Sequence, residues 1–216
     1  MSTIFEWAGK KVAENPVRAI KELPEHNQRV RWLKEDEEKV LRATILKLPK
    51  GEQRWMVVEV ARNTGLRQTE LKNLRWQDID RVNGAIVLQK TKAGRTRHVP
   101  MNATVADVID RISKSRGASA YVFQGARRFK WFKSAVEVAG IADFRWHDLR
   151  HDFASKLRMA GEDIANISDL LGHASIAQTM RYAHLSDPHL QAAVNKLKPA
   201  EGNTGGVVSI AKRKGA

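Results

Sequence analysis

The chain has no cysteine. That excludes a disulfide framework, a thiol nucleophile, a thiolate-bound zinc and an iron–sulfur cluster, and it agrees with a reducing compartment. No apolar run approaches the roughly 18 residues of a membrane span, and residues 1–11 lack the apolar stretch of a secretory signal. No G-x-x-x-x-G-K-[ST] loop is present, so nothing points to nucleotide-driven chemistry. No internal repeat recurs at a period of about 20–50 residues. Aromatics make up only 6% of the chain, with two tyrosines. The six tryptophans, at 7, 32, 55, 76, 131 and 146, are too dispersed for a base-stacking platform and read as core. Acidic residues are also scarce. Against 24 of them stand 38 lysines and arginines, a formal charge of +14 over 216 residues. A surplus of that size calls for a polyanionic partner, most often nucleic acid. The expectation is a cytoplasmic, DNA-associated protein with no membrane segment.

The pattern along the chain is mainly helical. Residues 4–23 read as a helix interrupted at Asn15-Pro16, and 24–31 as a linker. Glu35 to Glu38 then open an apolar-periodic run, as acidic residues do in a first helical turn. Helices are expected at 54–62, 67–74, 103–114, 129–139, 148–160, 163–171 and 175–183. A final one opens at Asp187-Pro188. Gly161 and Gly172 stand where helices end. Two short strands, 85–89 and 97–101, flank the basic turn Lys90-Thr91-Lys92-Ala93-Gly94-Arg95 and read as a hairpin. The fold class is therefore mainly α with a small antiparallel sheet (α+β). Residues 32–197 form the main domain and 198–216 a basic, disordered tail.

The densest chemistry is His147-Asp148-Leu149-Arg150-His151. Positions 147, 150 and 151 share one helix face. A metal site is one reading, because His147 and His151 have the spacing of H-E-x-x-H. Against it, Asp148 is a methylene short of the glutamate, Arg150 would face the dication, and Leu157 stands where a third histidine belongs. The other reading is a phosphate site, since an arginine fork beside a histidine suits a phosphodiester.

The wider set is Thr-Gly-Leu-Arg-Gln-Thr-Glu-Leu (64–71), Thr-Lys-Ala-Gly (91–94), His-Asp-Leu-Arg-His (147–151), Leu-Gly-His (171–173) and Thr-Met-Arg-Tyr-Ala-His-Leu (179–185). In order and spacing it closely resembles the tyrosine recombinases, the family of phage integrases and chromosome-dimer resolvases. The resemblance implies that Arg67 and Arg150 clamp the scissile phosphate and that Lys92 is the general acid for the leaving 5′-hydroxyl. His147 and His173 would hydrogen-bond the phosphate, and Tyr182 would be the nucleophile. Glu70 and His151 are supporting residues. Lys90, Arg95 and Arg97 are expected to contact the DNA backbone.

The chemistry is consistent with those roles. Two guanidiniums can neutralise the equatorial oxygens of the transition state without metal or cofactor, and an alkoxide leaves only if protonated. The resemblance further implies double-stranded DNA as substrate and a homotetramer on DNA that is monomeric free in solution. Accessory DNA-bending or directionality factors would complete the assembly. Residues 1–31 would hold the last helix of a DNA-clamping core-binding domain plus its linker. Two alternatives remain at this point: a type IB topoisomerase-like enzyme, against which the small size and Leu-Gly-His argue, and a non-catalytic DNA-binding regulator.

Overall fold

The computed structural model describes residues 30–89, 96–115, 117–123 and 129–186. The expected helix at 4–23, the turn at 90–95, the last helix from 187 and the tail lie outside these residues.

Helix α1 (Glu35–Leu46) starts with four consecutive acidic side chains, which suit the positive end of the helix dipole. Lys34 precedes it and offers no side-chain cap. Glu37 serves instead: its carboxylate accepts the Lys34 N–H at 3.0 Å and also pairs with Arg31. The hydrogen bond from Arg31 is the main reason that this carboxyl titrates below its usual range.

Helix α2 (Gly51–Thr64) is buried through its middle, from Trp55 to Val58 and at Val60 and Ala61, while Glu52 and Gln53 at its start are exposed. Trp55, Val57, Val58, Val60 and Ala61 lie in the core, and α2 packs against α1, α4 (Ala103–Ser113) and α6 (Asp148–Met159). Burying each of the larger of these side chains contributes about 1.5–3 kcal/mol. The helix stops at Gly65, whose φ of +61° is the left-handed C-terminal conformation. A Cβ here would also stand 2.5 Å from the Phe153 ring. The chain re-enters a helix almost at once as α3 (Gln68–Lys72).

The sheet has three antiparallel strands, β1 (Ile79–Asp80), β2 (Ala85–Leu88) and β3 (Arg97–Pro100). Ile86 pairs with Ile79 on one side and Val99 on the other. Strand β3 alternates: Arg97 and Val99 are buried, His98 and Pro100 exposed. Helix α5 (Lys130–Val138) and α7 (Ile164–Leu171) complete the layer around the core. Asn102 caps α4 by accepting the Val105 N–H at 3.0 Å, and Asp163 caps α7 through the Ala165 N–H at 2.7 Å.

Two features fix α6, which carries the residues of most interest. Tryptophans far apart in sequence meet just before it: Trp146 stacks on Phe129 at 4.0 Å, with Trp131, Phe132 and Phe144 around them. Further along, the carboxylate of Asp152 is fully buried. It accepts the Leu33 N–H at 3.0 Å, Lys156 Nζ at 3.0 Å and Arg62 Nε at 3.4 Å. Arg62 also binds Glu38, so the approach to α1, α1 itself, α2 and α6 are joined through one charged cluster.

Three details differ from the expectations raised by the sequence. Strand β1 is additional; two residues are too short a run to show alternation. The expected helix at 67–74 is shorter, Gln68–Lys72, with Arg67 extended before it and Asn73 ending it. The expected helix at 175–183 consists of two 3₁₀ turns, Ile176–Gln178 and Met180–Ser186, a tighter and less stable winding.

Candidate active site

Arg67 sits between Gly65 and α3, in extended conformation. Its backbone N–H donates to Glu70 Oε2 at 2.7 Å, and its guanidinium donates to Glu70 Oε1 at 3.0 Å and to the carbonyl of Gly172 at 2.9 Å. Glu70 thus closes the start of α3 and holds the arginine in place. Burial works against the Glu70 charge, but Arg97 and Arg67 outweigh it and keep the carboxyl below its usual range.

Arg150 projects from the first turn of α6 and is only 4% exposed. One Nη donates to the carbonyl of Gly65 and the other to that of Leu171, both at 2.6 Å. These carbonyls lie at the C-terminal ends of α2 and α7, where the helix dipole is negative and main-chain acceptors are unsatisfied. Both clamp candidates are therefore aimed by backbone, at two helix ends. Burial, followed by the nearby charges of Arg67 and Arg97, pushes the Arg150 pKa down to about 9, so it stays charged at neutral pH.

Burial and the nearby guanidiniums disfavour the protonated forms of His173 and His147. His173, just past Gly172, is pushed down to about 4, first by burial and then by Arg150 and Arg67. His147 is lowered by the same two kinds of cause, burial and then Arg150. Neutral imidazoles can serve a phosphate as N–H donors. His173 Nδ1 is 2.7 Å from the hydroxyl of Thr179, which is fully buried.

Tyr182 lies in the second 3₁₀ turn and is 2% exposed. It packs among Ala154, Ile164, Ile167 and Leu171. Its hydroxyl is 2.6 Å from Nδ1 of His151. Burial raises its pKa to about 12, against the pull of Arg181 and Arg150. The ring of His151 meets that of His147 edge-on at 5.1 Å. The phenol, His151 on α6, His147 just before it and Arg150 therefore occupy one neighbourhood.

The structure brings Arg67, Glu70, Arg150, His147, His151, His173 and Tyr182 to one locality, although they span more than half the chain. Lys92, Lys90 and Arg95 lie outside the described residues. Arg97 departs from its expectation as a DNA-backbone contact. Its guanidinium is buried, donating to Glu70 Oε2 at 2.7 Å and to the Leu171 carbonyl. The alternation along β3 carried that signal, since Arg97 shares the inward face with Val99. Thr179 opens the segment 179–185 quoted from the sequence, but that reading gave it no role of its own. Asp148, considered as the acid of a metal motif, accepts the Arg145 N–H at 2.7 Å and closes the start of α6. Among the described residues no three His, Asp or Glu side chains converge on a metal position.

This fold is that of the tyrosine recombinase catalytic domains. The catalytic domain of bacteriophage HP1 integrase superposes with a TM-score of 0.63 at 28% identity, over 78% of this chain and 95% of that one. XerA recombinase gives 0.61 at 29%, over 78% and 65%. The model of the phage integrase family matches residues 31–189, and the chain belongs to that family. Among curated relatives, the integrase of Salmonella phage P22 is 31% identical over 97% of this chain and 57% of its own length. The tyrosine recombinase XerA of Thermococcus kodakarensis is 34% identical over 68% of this chain and 56% of its own. The chain thus spans little more than half the length of these relatives.

Proposed function

We propose that this chain breaks and rejoins double-stranded DNA at specific sites by transesterification. Tyr182 Oη passes its proton to Nδ1 of His151, 2.6 Å away, and attacks the scissile phosphorus; a P–O bond to tyrosine forms, and the bond to the 5′-oxygen breaks. The products are a 3′-phosphotyrosyl link and a 5′-hydroxyl, which takes its proton from Lys92. Arg67 and Arg150 hold the two non-bridging oxygens, with His147 and His173 donating N–H bonds beside them. Religation is the same step reversed, so no nucleotide is consumed. The observation that carries the reading is the convergence of Arg67 and Arg150, both fixed on main-chain carbonyls, with a phenol on the same helix-end cluster. Four guanidiniums, Arg67, Arg97, Arg150 and Arg181, against the carboxylates of Glu70 and Asp148 make the cluster cationic, as a transition state gaining equatorial charge requires.

Residues 32–197 would be the catalytic domain, with residues 1–31 leading in from the DNA-clamping domain and 198–216 a basic tail. Lys90 and Arg95 would contact the DNA backbone beside Lys92. Four copies on two duplexes, aided by DNA-bending or directionality factors, would perform a complete exchange in the cytoplasm.

The test is covalent trapping on nicked suicide duplexes carrying randomised half-sites. Wild type should give a protein–DNA adduct on a denaturing gel, Tyr182→Phe none, and the adducts should be enriched for one sequence. An adduct persisting in Tyr182→Phe would overturn the nucleophile. Adducts without sequence preference would favour topoisomerase-like cleavage.

A further inference from the structure

We infer that Arg97 is a positioning residue for the cleavage reaction, a buried cation that occupies Glu70 and so leaves Arg67 available to the phosphate. This rests on the proposed function above. Strand β3 presents Arg97 to the gap between the start of α3 and the end of α7, and the residue is only 7% exposed. Its two Nη atoms reach different elements, one to Glu70 Oε2 at 2.7 Å and the other to the carbonyl of Leu171. Arg150 donates to that same carbonyl at 2.6 Å. Arg97 therefore touches an anchor of each clamp arginine while having no face for DNA.

The close approach is built into the backbone. A Cβ on Gly172 would stand 2.5 Å from Arg97 Nη1 and 2.8 Å from its Cδ, and the φ of +63° is itself unfavourable for any other residue. Gly172 is needed both to end α7 and to let the guanidinium pass beneath it.

The physical role follows from competition between anions. Glu70 Oε1 binds the Arg67 guanidinium, and Oε2 is shared between the Arg67 N–H and Arg97. A phosphodiester entering the site must draw Arg67 against the attraction of Glu70. With Arg97 in place the carboxylate has a second, permanent counter-charge, and its hold on Arg67 is weaker. Without Arg97, Arg67 is the sole guanidinium on a partly buried carboxylate, and in such surroundings the pull is strong. Arg97 also adds to the positive field at the phosphate, and a buried arginine keeps its charge where a lysine can lose it.

The experiment measures single-turnover cleavage of a nicked suicide duplex, together with the affinity for that duplex and thermal melting. Arg97→Met should slow cleavage by about 10–100-fold, the equivalent of one charge-assisted hydrogen bond, while the Kd for the duplex stays within about threefold. Adding Glu70→Gln to Arg97→Met removes the competing anion and should restore cleavage by about fivefold or more over Arg97→Met alone. A residue that only propped the fold would give the opposite result, since the second change would compound the first. If Arg97→Met does not fold, Arg97→Gln, neutral but able to donate to Leu171, replaces it in the same comparison. Cleavage by the single variant within about threefold of wild type overturns the role, as does a double variant no faster than the single. Wild type on the same duplex separates the two possible failures. If it forms the adduct, the failure is confined to Arg97; if it forms none, the proposed function falls and the role of Arg97 with it.

Discussion

The hydroxyl of Tyr182 and Nδ1 of His151 are 2.6 Å apart. His151 follows Arg150 directly on α6, so a single helix carries the arginine proposed to clamp the phosphate and the hydrogen-bond partner of the proposed nucleophile. The phenol is held with its proton on, since burial raises its pKa to about 12.

Replacing Tyr182 with phenylalanine should abolish covalent adducts entirely, because no other described side chain in the cluster is a tyrosine. The packing among Ala154, Ile167 and Leu171 is kept, and only the bond to His151 is lost. Such a change costs about 1 kcal/mol. In a domain of this size that lowers Tm by about 2–4 °C. Differential scanning calorimetry beside a denaturing gel checks both halves; a fall of more than about 10 °C would mean that the tyrosine is chiefly structural.

Arg150→Lys keeps a positive charge but cannot reach the carbonyls of Gly65 and Leu171 at once. A point charge in place of a fixed fork should cut cleavage by about 100-fold or more. Binding of the same duplex should change little, because Arg150 is one of 38 lysines and arginines available to phosphates. The comparison is single-turnover cleavage against a filter-binding isotherm. Cleavage within about fivefold of wild type would show that charge alone, without geometry, suffices.

Acid should weaken the fold through its histidines. His173 titrates at about 4 in the folded protein and near 6.5 once exposed, and His147 is shifted in the same direction. The unfolded chain therefore binds more protons than the folded one between these values, and stability falls as pH drops from about 6.5 towards 4. Above that window the histidines are neutral in both states and contribute no slope. Melting curves from about pH 7.5 down to about 4.5 should show this decline, and His173→Gln should flatten it. An unchanged slope in the variant would assign the decline to other groups.

Asp152→Asn tests the charged cluster that holds the approach to α1, α1, α2 and α6 together. The carboxylate is wholly buried and has Arg62, Lys156 and the Leu33 N–H as partners. Removing one member of a buried ionic group leaves the others uncompensated and costs about 3–5 kcal/mol. Urea unfolding should show a large drop in midpoint at constant slope. A change below about 1 kcal/mol would mean that water already screens the cluster.

Much of this organisation is legible in the residues themselves. The His147–Arg150 face alone suits a phosphodiester only weakly, and Arg67 and His173 join it through the resemblance that their segments share with the tyrosine recombinases. Helices α4, α5 and α7 follow from clear apolar periodicity. What stayed hidden depends on tertiary context. The 3₁₀ turns around Tyr182 have a helical pattern, and only packing against α6 and α7 tightens them. Arg97 looks like one basic residue among many beside the turn at 90–95; its burial depends on Glu70 and the Leu171 carbonyl, which are distant in sequence. The acceptors for Arg150 are main-chain atoms, which no side-chain motif records.

That last feature bears on how such a site tolerates change over generations. Arg67 and Arg150 are seated on the carbonyls of Gly65, Leu171 and Gly172, and a carbonyl persists whatever side chain its residue carries. At position 171 drift among apolar residues of similar volume leaves the seat of Arg150 intact; at 65 and 172 the left-handed backbone confines the choice to glycine. The clamp is thus insulated from most single mutations around it and vulnerable at two points. Such an arrangement lets surrounding sequence diverge while the placement of the two guanidiniums stays fixed.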